Sequence, residues 1–226
     1  MLLAAGALSA LAFAALPALA SAGEYEAHCI GFATCTGTVA GGAAELETDG
    51  GEVITCSSVG GNTSFTTTST TGTANLTFTG CREHITFFTF QCNSSGLANG
   101  TIHVNNLTYH LVNLEHSGTV PGVKFTDVSV TFECTGFAKR TVTGSVVGAL
   151  EAPANFCNKA VASHKVTFEE GATTGTQKYT QITTTGTQTD LVSNSHTAGH
   201  PDNTYTTSAQ KGTGTITWNH NVEITC

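Results

Sequence analysis

VKFTDVSVTFECTGFAKRTVTGSVVGAL, residues Val123 to Leu150, decides the fold. Val128, Val130, Phe132 and Cys134 share one parity while Ser129, Thr131 and Glu133 take the other. That is the period of two shown by a half-buried strand. Upstream, Val123 and Phe125 carry the opposite parity. A slip of one residue sends every side chain to the other face, so the pattern predicts a β-bulge near Thr126 and Asp127. Beyond the break, Val142, Val146 and Leu150 fall on one side, with Gly144 and Gly148 placed where a bulky neighbour can lie close. The two runs read as a hairpin turning at Thr135 to Lys139.

Working outward, the cleanest strand is Gly214 to Cys226, in which Ile216, Trp218, His220, Val222 and Ile224 alternate with Thr215, Thr217, Asn219, Asn221 and Glu223. Trp218 and His220 therefore read as core residues. Ile85 to Cys92 is apolar on both faces and predicts a central strand. The hydroxyl-rich stretch between Cys56 and Ala74 reads as an edge or a long loop, since such side chains cannot build a core. Residues 23–51 read as a loop-like, acidic N-terminal segment. After residue 22 no stretch repeats apolar residues at helical spacing, so the expected fold is all-β: an antiparallel β-sandwich or jelly roll, stapled by disulfides.

Residues 1–22 are small and apolar and end in A-x-A patterns, which predicts a cleaved signal peptide, a single all-β domain over 23–226 and a secreted, extracellular location. The 8 Cys all follow that segment, as in a disulfide framework. Charged residues make up 11% of the chain and the net charge is −8. A basic patch for nucleic acid or an anionic membrane surface is therefore not expected.

The motifs ITC (54–56), LTFTGC (76–81), QCNSSG (91–96), VTFEC (130–134) and TVTGSVVGAL (141–150) occur in that order. In this order the chain resembles a family of uncharacterised secreted proteins of soil bacteria, over roughly Glu52 to Glu170. The resemblance implies a bacterial, exported all-β protein and names no activity. Cys56, Cys81, Cys92 and Cys134 lie inside the family-like region, and the expected pairs there are Cys81 with Cys92 and Cys56 with Cys134. Outside it, Cys29 pairs with Cys35 across a short loop and Cys157 with Cys226.

Hydrolase, zincin and nucleotide-binding signatures (G-x-S-x-G, H-E-x-x-H, the Walker loop, G-x-G-x-x-G) do not occur. No cofactor is expected. The one suggestive metal spacing is His196, His200 and Asp202, two imidazoles and a carboxylate of the type transition metals accept. It lies in a Gly- and Pro-containing loop that does not place the two rings on one face, so a solvated loop is the preferred reading. Thr-Gly-Thr elements recur at 36–38, 71–73, 174–176, 185–187 and 213–215 without the constant period of a repeat fold. The functional expectation is a non-enzymatic extracellular protein whose Thr-rich face meets polysaccharide or another surface protein. The alternative is a secreted hydrolase with a site assembled from dispersed Asp, Glu and His.

Overall fold

The computed structural model describes residues 25–85, 87–114, 121–136, 138–151, 157–182, 186–197 and 205–225. The proposed signal peptide, His200, Asp202 and Cys226 lie outside them. The strands are β1 (Glu26–Cys29), β2 (Thr34–Thr48), β3 (Val53–Cys56), β4 (Ser58–Thr66), β5 (Thr71–Thr79), β6 (Arg82–Ile85), β7 (Phe88–Asn93) and β8 (Thr101–Asn113). They continue as β9 (Pro121–Cys134), β10 (Ala138–Glu151), β11 (Ala160–Phe168), β12 (Gln181–Ile182), β13 (Gly186–Thr187), β14 (Leu191–Thr197) and β15 (Tyr205–Thr225).

The fold is all-β and antiparallel, and its walls belong to one sheet curled on itself. Four long strands, β2, β9, β10 and β15, run the length of the molecule, and the pairings close around them twice. At one end the ring is β15, β2, β4, β5, β8, β9, β10, β11 and back to β15. At the other it is β15, β2, β3, β6, β7, β9, β10, β14 and back to β15. Both rings have eight members, a number whose interior is just filled by side chains or holds one small ligand. Closure also removes the free edges that an open sheet of alternating strands exposes.

The opening stretch behaves as its parity requires. Gly144 pairs with Val128 but Val146 pairs with Phe125, so β9 carries the extra residue at Thr126 and Asp127. Asp127 adopts the left-handed conformation at φ 54°, one that Asp tolerates better than most residues. Val123, Phe125, Val128 and Phe132 are consequently all buried in one core with Val142, Val146 and Leu150. At Gly148 an added Cβ would stand 2.7 Å from Val166 and 2.8 Å from Phe168, the close approach its place in the pattern predicts. Outside the wall, Val112, Leu114, Val147 and Ala149 form a second buried cluster with Ile182 of β12, which accounts for the parity switch after Leu111.

Four expectations need correction. Residues 34–48 are not loop-like: they form a 15-residue strand at the centre of both rings. The hydroxyl-rich stretch after Cys56 is β4 and the start of β5, ring members whose inward positions include Thr63, Phe65 and Ala74. Ile85 to Cys92 is not one central strand, because Ile85 pairs with Phe88 across a tight turn and Phe87 is 91% exposed at its tip. The pairs Cys56–Cys134 and Cys81–Cys92 are replaced by Cys56–Cys81 and Cys92–Cys134, each with Cα atoms 3.9 Å apart. The register explains the exchange: β3 and β6 are partners, with Thr55 opposite Arg82, and Cys92 lies directly opposite Cys134. Cys81 and Cys92 are neighbours through a backbone hydrogen bond of 3.0 Å from Cys92 N–H to Cys81 O, yet each sulfur turns to its other side. Cys29–Cys35 forms as expected. Cys157 is disulfide-bonded, and the expected pair with Cys226 falls on a residue outside those described.

Candidate functional sites: an outer hydroxyl grid and an apolar interior

The Thr-Gly-Thr elements acquire a physical meaning in the rings. In 36–38 of β2, 71–73 of β5 and 213–215 of β15 the glycine points inward and the threonines outward. Inward bulk then fills the glycine's place: a Cβ at Gly37 would meet Ile216 at 2.7 Å and Trp218 at 2.8 Å. At Gly72 it would meet the Tyr109 hydroxyl at 2.2 Å. The elements at 36–38 and 71–73 therefore space two hydroxyls on the surface while making room for an aromatic ring beneath, whereas an added Cβ at Gly214 would meet only Val39, at 3.6 Å.

Strand register aligns those hydroxyls. Thr36, Ser64, Thr73, Thr108 and Thr126 are successive cross-strand partners on β2, β4, β5, β8 and β9. One step along the strands, Ser163, Thr217, Thr38, Asn62 and Asn75 form a second row on β11, β15, β2, β4 and β5. A row that long wraps around the barrel. The rows overlap on β2, β4 and β5, where Thr36, Thr38, Asn62, Ser64, Thr73 and Asn75 make a grid of two by three. Its repeat is about 4.8 Å between strands and about 6.7 Å along them. The grid is uncharged and internally tied, with Ser64 and Thr73 hydroxyls at 3.1 Å and Asn75 Nδ2 donating to Asn62 Oδ1 at 3.3 Å.

The interior holds a cavity of about 180 Å³ whose walls include Phe65, Leu76, Phe125, Val146, Val166 and Trp218. Protein interiors hold few voids larger than a water molecule. A void of this size forgoes about 4 kcal/mol of packing. Polar residues on its wall are few, and Glu45, the one carboxylate among them, is taken by Lys211. Trp218 Nε1 donates to His164 Nδ1 at 2.9 Å, and burial pushes the His164 pKa down to about 4. Burial pushes the Tyr109 hydroxyl up to about 12.

Two clusters join charges from distant strands. Arg140 is buried and donates from Nη1 and Nη2 to the two Glu52 oxygens, each at 2.9 Å, and from Nη2 also to Glu83. Glu83 has no solvent exposure, and burial raises its pKa against the opposing pull of Arg140. Glu83 also lies beside Cys92 and Cys134, with ligand-type atoms within 4.8 Å of one another, but the two sulfurs form a disulfide and offer no thiolate. On the outer surface Lys211 gathers Glu45, Glu47 and Glu170.

Of the residues suggested for metal, the backbone of His196 lies on β14 opposite Lys139, and His200 and Asp202 lie outside the described residues. His220 keeps the inward parity of β15 but stacks on the exposed ring of Phe32, with centroids 3.3 Å apart. The cluster of Arg140, Glu52 and Glu83 is not legible in the sequence, where Arg140 lies 88 positions from Glu52 and 57 from Glu83; a buried-parity Arg on a strand is the available signal. Comparison with known protein families, curated proteins and solved structures finds no match for this chain.

Proposed function

We propose that this is an exported, non-catalytic binding protein that docks through its outer hydroxyl grid on an uncharged extracellular polysaccharide. The two-by-three register of Thr36, Thr38, Asn62, Ser64, Thr73 and Asn75 carries this reading. A regular polymer of neutral sugar rings offers hydroxyls at a short, fixed repeat, and a fixed grid of donors and acceptors complements it. A single neutral hydrogen bond contributes only about 0.5 to 1.5 kcal/mol, so affinity comes from several grid positions acting together. The disulfides suit an oxidising, extracellular compartment.

The hydrolase alternative receives less support. Among the described residues, carboxylates from distant segments converge on Arg140 and on Lys211. Each time they surround a cation, whereas glycoside hydrolysis needs two carboxyl groups facing one another across a cleft.

The test is co-sedimentation with cellulose, chitin and isolated cell-wall fractions. Retention on at least one is expected, with little dependence on salt because the grid is uncharged. A Thr36→Ala/Thr73→Ala/Asn62→Ala variant should lose most of it while staying within about 0.5 kcal/mol of the parent stability per site, as surface substitutions do. No retention on any of these polymers, or full retention by the variant, overturns the proposal.

A further inference from the structure

We infer that the barrel interior is a binding site for a small, uncharged, largely apolar molecule, the size of one aromatic ring or a short branched chain. This site is separate from the outer grid. The cavity of about 180 Å³ is lined by inward residues of both rings, from Ile54 and Phe132 at one end to Val222 at the other. An apolar cavity of about 150 Å³ is known to stay dry and to take up benzene or xenon, so the space here suits a guest of that order.

The exclusion of charge follows from the neighbours. Arg140, opposite the cavity-lining Phe132 in the register, is engaged by both Glu52 and Glu83. Glu45, the carboxylate on the wall, is taken by Lys211. A charged guest would therefore leave water without gaining a counter-ion, a cost that neutral guests avoid. The Tyr109 hydroxyl and Thr63, both on the wall, give one polar spot for a hydroxyl or carbonyl. Thr63 donates to Thr73 O at 2.9 Å, which ties this spot to the strand that carries the grid.

The wall also supplies the readout, because Trp218 is the 1 Trp of the chain. Purified protein titrated with p-xylene should show a saturable change in Trp218 emission and a rise of several degrees in melting temperature, since a guest that binds only the folded state stabilises it. Benzoate, of similar shape but charged, should produce neither. Val146→Phe, which fills the space, should abolish the emission response, and the triple grid variant should leave it intact. Xenon NMR on the unaltered protein provides a measurement independent of any substitution, with a bound-xenon signal expected. The inference is overturned if p-xylene changes neither emission nor melting temperature, if benzoate acts equally well, if a folded Val146→Phe protein still responds, or if no bound xenon is seen.

Discussion

At one end of the barrel the ring is completed by β4, β5, β8 and β11, strands of 9, 9, 13 and 9 residues. At the opposite end β3, β6, β7 and β14 do the same work with 4, 4, 6 and 7. Long strands bring many ladder hydrogen bonds and many inward side chains. Short ones bring few, and that end is the one crossed by Cys56–Cys81, Cys92–Cys134 and the Arg140 cluster. The contrast teaches that where the strands of this barrel are short, covalent and ionic ties between them stand in for ladder length.

Breaking the ionic tie should have the largest effect. Arg140→Ala leaves a fully buried Glu83 without its counter-charge, and a loss of about 3 to 5 kcal/mol is expected in urea unfolding. Replacing Arg140 and Glu83 together with Met should recover most of that loss. If the single substitution proves as mild as a surface one, the cluster does not hold the short-strand end. Next comes the covalent tie. Cys92 and Cys134 are 42 positions apart, and the chain-entropy relation gives about 4 kcal/mol for their bridge against about 2 kcal/mol for Cys29–Cys35, separated by 6. Paired Ser substitutions compared by denaturant midpoint decide whether the ranking holds.

The smallest of the three effects sharpens the comparison through pH, because the two ends respond with opposite sign. His164 on β11, at the long-strand end, has its pKa lowered to about 4 from 6.5. Its contribution is complete above 6.5 and is lost as pH falls toward 4, by about 3 kcal/mol at the limit. Glu83 has a raised pKa, so its contribution is present below the ordinary carboxylate value and is lost as pH rises through the folded value. His164→Gln should therefore flatten the acid side of the stability profile, while Glu83→Gln should steepen it. Profiles measured by thermal unfolding that shift in the same direction for both would contradict this assignment.

Much of the wall was legible in the sequence. Alternation located β9, β10 and the C-terminal part of β15, and the parity slip at Thr126 and Asp127 located the bulge, because burial on one face fixes period and register together. The cysteine exchange was not legible: Cys56, Cys81, Cys92 and Cys134 end or flank neighbouring strands, and which sulfur meets which depends on strand order, a long-range property. Phe87 and Phe88 misled for a different reason. A run apolar on both faces signals a buried strand only if the chain does not turn within it, and here the turn carries Phe87, the most exposed large hydrophobic side chain among the described residues. The hydroxyl grid was half visible, since the outward parity of Thr36, Thr38 and Thr73 is local while their alignment across strands is not.

The seam between β15 and β2 has a kinetic consequence. Residues Ser208 to Trp218 lie against Gly37 to Thr48, so both rings share a closing contact between segments far apart in the chain. Loop-closure entropy must be overcome before such a contact gives any return, and proteins dominated by non-local pairing fold slowly for that reason. Until the 21 residues of β15 dock, the outward-facing backbone of β2 and β11 remains open to pairing with other molecules. The seam is thus the step at which folding and self-association compete.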